Sequence, residues 1–401
     1  MLQNFFSVLP FYVCLFWLML FIIQYKRVDP AKRFFTFFLL VCTFLYFSHA
    51  VYFHRYIYLY SLIESLYSFC SLAVYPLYYL YICKLTNCRQ FSLSNYWVIL
   101  PALIIGILSM IFYGMMSGQE RINFVQHHFF NDTNSLLSLS LAEQGQIVRI
   151  AATRIIFIVQ LIPVSAYGYK KLIRFNREVN NFYADTENRT MAPVQKLLLI
   201  FILFAIFSGV ANLLGKDFFI RETWLLVIPS LVFGCMIFLV SYIGYTQNFT
   251  AVDFCKDAEN RFADETSVSF NNDTTVLSSR LRQLMEEQQL YRQKDLHISD
   301  IALQLGSNRT YVSNYINQEL GLSFSDYINR HRIGYAQSLM TDSTHPLSMI
   351  EISEQSGFAN EVSFYRNFKK ITGSTPNKWL RPKSLAGTQR ERNNQYEIEN
   401  K

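Results

Sequence analysis

The sequence predicts an all-α chain: a seven-transmembrane-helix bundle followed by a soluble all-helical double helix-turn-helix domain. Three observations carry this. Seven apolar segments follow one another over the first 245 residues, composition changes sharply near residue 246, and two similar helix-turn-helix strings occupy the last third. At 51% hydrophobic and 16% aromatic residues, the 401-residue chain is too apolar for an ordinary soluble protein. The excess is uneven. Residues 1–245 hold 18 Lys/Arg against 10 Asp/Glu, and residues 246–401 hold 18 against 19. The net charge of +7 therefore arises in the apolar part and is a statement about topology, not about nucleic acid.

The seven segments are Phe5 to Tyr25, Phe34 to Phe53, Ile57 to Cys83, Tyr96 to Met116, Ile147 to Tyr169, Leu197 to Leu214 and Trp224 to Tyr245. Each suits a hydrocarbon core, which needs about 17 to 25 helical residues. In lipid every backbone amide must be bonded within its own segment, so such runs are helices. Lys and Arg concentrate in cytoplasmic loops. Connections 26–33, 84–95 and 170–196 carry 4, 2 and 6 of them, whereas the other side carries only Arg55, Arg121, Lys216 and Arg221. The expected arrangement is a multi-pass protein of the inner membrane with its N-terminus outside and residues after 245 in the cytoplasm. The first segment lacks a basic start and a small-residue cleavage site, so it reads as an anchor rather than a removable signal.

Charges within spans are costly and mark structural pairs or functional sites. Glu64 lies in the third segment and Arg149 and Arg154 in the fifth, all toward the outer side, where His49 and His54 end the second segment. Arg149 and Arg154 are roughly 140° apart around a helix and do not share a face. Two readings stay open: a structural ion pair with snorkelling arginines, or a site for an anionic or polar signal. His127 and His128 fall in the outer connection 117–146, read as a loop.

Other classes are less well served. A transporter would favour paired broken segments in two matching halves, and although Pro76, Pro101, Pro163 and Pro229 fall in or near spans, no repeated half is evident. There is no nucleophile elbow, phosphate-cradling glycine loop or metal-ligand spacing, and the seven cysteines read as small buried hydrophobes. No enzyme activity, cofactor or metal is expected. Thr246 to Ser279 is polar, with six acidic and two basic residues, and reads as a mostly irregular tether that both phosphate and anionic lipid would repel. The expected domains are a membrane region over 1–245, a linker over 246–276, a soluble domain over 277–383 and a polar tail over 384–401.

The soluble part has amphipathic helices with caps. Ser348 and Glu351 form a capping box, Asn360 caps the next helix, and Pro376 follows a Gly373 turn. "ISDIALQLGSNRTYVSNYINQELG" and "MIEISEQSGFANEVSFYRNFKKITG" form a repeat, Gly306 aligning with Gly357 and Gly321 with Gly373. Each unit is a short helix, a glycine turn and a second helix. Val312 and Ile316 in one, and Phe364 and Phe368 in the other, are spaced i, i+4 and point inward, leaving a mostly polar opposite face that suits a major groove. A central helix, Phe324 to Met340, joins the units.

With "FSDYINRHRIGYAQSLM", its Arg332-Ile333-x-x-Ala336-x-x-Leu339 core, and "GFANEVSFYRNFKKITGSTP", residues 277–381 resemble the DNA-binding domain of AraC/XylS transcription regulators. The resemblance implies two units whose second helices enter successive major-groove segments of double-stranded promoter DNA. Carried over by position, the base-facing residues are Arg309, Thr310, Ser313 and Asn314, then Glu361, Val362, Tyr365 and Arg366. Arg330, Lys369, Lys370 and Lys378 would contact phosphate, fixing register without reading sequence. Two departures stand out: Asn314 replaces a commonly basic residue, and Gly334 interrupts the central helix at a cost of roughly 1 kcal/mol relative to Ala. The expected function is a membrane-embedded transcription regulator that senses a signal through Glu64, Arg149, Arg154, His49 and His54. Its expected partners are promoter DNA, membrane lipid, a second copy of itself and a signal ligand or membrane partner. The alternative is a transporter or membrane enzyme with an appended regulatory or docking domain.

Overall fold

A computed structural model describes residues 2–25, 29–87, 93–130, 139–187, 189–214, 223–247, 249–262, 274–342 and 347–380; the tail over 384–401 lies outside them. The chain divides into two compact units, one made of Met1–Phe175 with Met191–Cys255 and the other of Asn176–Thr190 with Lys256–Lys401. The described residues are almost wholly helical and hold no strand, only an isolated bridge between Tyr183 and His297.

The first unit is built from α1 (Leu2–Gln24), α2 (Pro30–Phe53), α3 (Ile57–Thr86), α4 (Leu100–Met115), α5 (Gly118–Phe130), α6 (Leu141–Phe182), α7 (Ala192–Leu214) and α8 (Val227–Thr246). All but α5 contribute to the seven helices long and apolar enough to cross a membrane. Their outward faces carry large apolar side chains, among them Ile23 at 76%, Met110 at 66% and Leu203 at 66% exposure. Such faces suit lipid, not water. Inside, aromatic rings replace a Leu-rich core: Phe35 lies 4.7 Å from Tyr81, and Phe201 lies 4.6 Å from Tyr78 and 4.8 Å from Tyr75. Hydroxyls in spans are satisfied locally, with Thr43 and Ser48 donating to the carbonyls of Leu39 and Phe44. Gly244 lets Phe35 come so near that an added Cβ would lie 3.1 Å from its ring, the close approach small residues provide between apolar helices.

Within the outer connection, read as a loop, residues 118–130 form α5 instead. Ser117 caps it, its hydroxyl accepting from the Glu120 N–H at 3.2 Å, and Phe124 and Val125 are buried against Tyr60 and Tyr113. The supposed irregular tether likewise contains α9 (Ala251–Phe262). Ala251, Phe254, Cys255 and Ala258 are spaced as one apolar stripe, and the Asp253 carboxylate accepts from the Thr250 N–H at 2.9 Å. Acidity on the opposite face masked that stripe in the sequence.

In the second unit α10 (Thr274–Glu286) precedes α11 (Ile298–Leu305), α12 (Arg309–Asn314), α13 (Phe324–Thr341), α14 (Met349–Gln355), α15 (Glu361–Thr372) and α16 (Pro376–Trp379). Its helix starts are set by side chains. Asn308 accepts from the Tyr311 N–H at 2.7 Å and Asn360 from the Ser363 N–H at 2.8 Å, while Ser348 and Glu351 exchange bonds at 2.8 and 3.3 Å. The Ser348 backbone N–H holds the Glu351 carboxyl below its ordinary value. Ile333, Ala336, Ile352, Phe358, Phe364 and Phe368 form one buried cluster on α13, α14, α15 and the turn between the last two. Gly334 does not break α13, which runs through it unbroken.

Candidate nucleic-acid interface and buried charge cluster

Each reading helix is positioned by its buried stripe. Val312 and Ile316 are fully buried, as are Phe364 and Phe368, so the opposite faces of both helices turn outward. In the first helix-turn-helix Thr310 and Asn314 are exposed and Arg309 and Ser313 half-buried. In the second, Glu361, Val362 and Arg366 are exposed, Val362 at 67%, and Tyr365 is half-buried. The helices differ in regularity: α12 passes into a π-helical turn over Tyr315–Glu319, whereas α15 is regular for twelve residues. Arg309 is not extended into solvent; its guanidinium lies 5.5 Å from the Phe182 ring centre.

Of the four expected phosphate contacts, Arg330, Lys369 and Lys378 are exposed. Lys370 is exposed too, but its ammonium is paired with Asp326 on α13. Lys369 and Lys370 lie in the last turn of α15, where they also suit the negative end of the helix dipole.

Sequence reasoning missed the turn after α6 entirely. Residues 176–190 belong to the second unit. There the Ala184 carbonyl accepts from Ser325 Oγ at 2.9 Å and Asn329 Nδ2 at 3.2 Å, and the Ala184 N–H donates to the Leu296 carbonyl at 3.0 Å. Tyr183 donates to Asp257 at 2.6 Å, and burial and that carboxylate push its hydroxyl well above its ordinary pKa. Arg189 stacks 4.1 Å from the Tyr183 ring centre and pairs with Asp295 at 2.8 Å. The Ser363 hydroxyl lies 3.4 Å from Asp185. This elbow thus reaches α12, α13 and α15 alike. The only sequence signal was Ser325 with Asn329, polar residues at i, i+4 on the buried face of α13.

Arg332 is the largest fully buried side chain in the chain's described residues. Its Nε donates to the Tyr291 carbonyl at 2.7 Å and its Nη2 to the Gln293 carbonyl at 2.9 Å, beneath the Phe358 ring. Burial pushes its guanidinium down to about 10, opposed by the Asp185 charge. It ties the segment before α11 to the central helix and is a structural residue, not a DNA contact.

In the first unit, Glu64 and Arg149 meet. Arg149 Nη2 lies 2.9 Å from Glu64 Oε1, with both side chains 2% exposed. Ser68 donates to the same carboxylate oxygen at 2.9 Å and Ser109 to the other at 3.0 Å. The remaining Arg149 nitrogens donate to Gln146 and Ser68. Gln146 in turn donates to the Ser109 carbonyl at 3.0 Å. The network staples α3, α4 and α6, and its acceptors and donors serve one another. Ser68, four residues after Glu64, and Gln146, three before Arg149, were legible as i, i+4 and i, i+3 partners.

Beside it lies a cavity of about 290 Å³ lined by residues of α1, α2, α3, α5, α6, α7 and α8. Glu64, Arg149, Arg154, His49 and His128 all reach it. His54 does not: its Nδ1 sits 2.9 Å from the Ala50 carbonyl at the end of α2.

These features accord with known proteins over the C-terminal part. Residues 301–382 match the family described as "Helix-turn-helix domain", of the AraC type. More particularly, the chain is 31% identical over 91 residues to YtdP of Bacillus subtilis, an uncharacterized HTH-type transcriptional regulator. It is 29% identical over 110 residues to an uncharacterized HTH-type transcriptional regulator of Staphylococcus aureus. These matches cover 23% and 27% of this chain but only 12% and 14% of the relatives. No solved structure matches the chain. The C-terminal part is therefore a helix-turn-helix domain similar to those of transcriptional regulators.

Proposed function

We propose that this chain is a membrane-embedded transcription regulator whose seven apolar helices sense a signal and whose C-terminal domain binds promoter DNA. The carrying observation is the pair of capped helix-turn-helix units, each with its buried stripe inward and its polar face out. Arg309, Thr310, Ser313, Asn314, Glu361, Val362, Tyr365 and Arg366 face bases, and Arg330, Lys369, Lys370 and Lys378 face phosphate. The regular α15 dominates sequence reading, since the π turn after Asn314 shortens the straight part of α12. The membrane region lies in the inner membrane with its N-terminus outside, which the basic connections support. Glu64 and Arg149 brace the sensing region, while Arg154 and His49 face the signal. Two copies paired through their membrane regions would raise the local concentration of one DNA-binding domain for the other.

The test is promoter binding by the full chain in lipid nanodiscs, measured across salt concentration. Lys369→Ala should weaken binding to all sequences alike and reduce the salt slope by about 1. Arg366→Ala should cost about 1 to 3 kcal/mol and relax preference at one position. A Lys369→Ala/Lys370→Ala chain with unchanged affinity and salt slope would overturn the DNA interface.

A further inference from the structure

The cavity in the first unit has a definite charge balance. Glu64 and Arg149 cancel, and both carboxylate oxygens of Glu64 already accept bonds. Arg154 also lines the cavity, one and a half turns along α6 from Arg149, and has no ion pair or hydrogen bond among the described residues. The other titratable side chains of the lining, His49, His128, Cys42 and the tyrosines, are of types that are not anionic at neutral pH. The cavity is thus left with one uncompensated guanidinium. Arg154 is exposed on α6 and lies seven residues inside the fifth apolar segment, about 10 Å along the helix, where a charge without a partner is costly.

The rest of the lining selects the other end of a ligand. The same lining holds Phe157, Ile158, Phe233, Ile237 and the ring of Tyr75, surfaces that suit hydrocarbon. A cation is disfavoured because Arg149 already neutralises the Glu64 carboxylate and Arg154 adds a second positive charge to the lining. A small hydrated anion would bring its charge but leave that apolar surface unmatched. We infer that the cavity binds an amphiphile with one anionic oxygen head, held by the Arg154 guanidinium, its chain lying along the aromatic wall. The inference rests on the reading of the membrane helices as a sensor and names the chemistry of what they sense. Carboxylate and phosphate heads share that chemistry, since a guanidinium fork fits either.

The experiment uses the purified full chain in phosphatidylcholine nanodiscs without DNA, so its outcome is independent of promoter binding. Titrations with oleate, oleoyl lysophosphatidate and oleyl alcohol compare three heads on similar chains. At least one anionic probe should bind saturably and roughly tenfold or more tighter than the alcohol, a difference of one charge-assisted contact; which one wins identifies carboxylate or phosphate. Arg154→Gln should abolish that preference while leaving alcohol binding unchanged, which also shows that the variant is folded. Arg154→Lys should restore part of it. Equal binding of all three probes, or an Arg154→Gln chain with wild-type preference for the anionic probe, overturns the site. Should the anionic probe bind yet leave promoter affinity unmoved in a second titration, the site stands and the sensing role falls.

Discussion

Two glycines of the second unit look alike in the sequence and differ in what holds them. Gly334 lies mid-helix in α13, with nothing within 4 Å of where a Cβ would sit. Its cost is the backbone freedom it releases on unfolding, so Gly334→Ala should stabilise the domain by about 0.5 to 1 kcal/mol. Gly357 has φ +85°, and an added Cβ would lie 2.6 Å from the Arg292 carbonyl oxygen. There backbone meets backbone and nothing can yield, so Gly357→Ala should destabilise by more than Gly334→Ala gains. Hydrogen exchange of α13 and α14 amides in the full chain checks both; slower exchange for Gly357→Ala would refute the argument. Arg332 teaches the same lesson differently. Its place in the core pattern was readable, but the two carbonyls that satisfy it come from Tyr291 and Gln293, about forty residues earlier, which no local pattern reveals.

Among the elements, those defined by local chemistry were legible and those defined by distant partners were not. The caps at Ser348 and Asn360 and the buried pairs Val312 with Ile316 and Phe364 with Phe368 depend on neighbours within one or two turns, and they stand where the pattern placed them. The Glu64–Arg149 pair was open to two readings, and the hydrogen bonds of Ser68, Ser109 and Gln146 favour the structural one. The elbow at residues 183–185 was illegible because its partners lie more than 70 residues away in the sequence. Its attachment is specific enough to test. In Ser325→Ala/Asn329→Ala both donors to the Ala184 carbonyl disappear, leaving a buried acceptor unpaired at about 1 to 3 kcal/mol. Exchange should quicken at residues 183–190 while α14, capped by Ser348 and Glu351, keeps its protection. Unchanged exchange at the elbow would mean that its other contacts, the Tyr183–His297 bridge, Tyr183 with Asp257 and Arg189 with Asp295, hold it without them.

For the whole molecule, the decisive quantity is the distribution of basic residues around the seven apolar helices. Twelve Lys and Arg fall in connections 26–33, 84–95 and 170–196, against Arg55, Arg121, Lys216 and Arg221 on the other side. In the proposed membrane reading that bias would give one sidedness for every connection, because seven crossings would place the N-terminus and the C-terminal domain on opposite faces. Under the proposed function the C-terminal domain would have to face the cytoplasm, the side to which the charge bias by itself would assign it. Alkaline phosphatase, active only outside the cytoplasm, should therefore be active when fused after Ser117, beyond the fourth helix, and inactive when fused after Thr246. A green fluorescent reporter that matures only in the cytoplasm should give the opposite pattern. Activity of the phosphatase after Thr246 would put the helix-turn-helix domain where no promoter exists, and the regulator reading would fail with the topology.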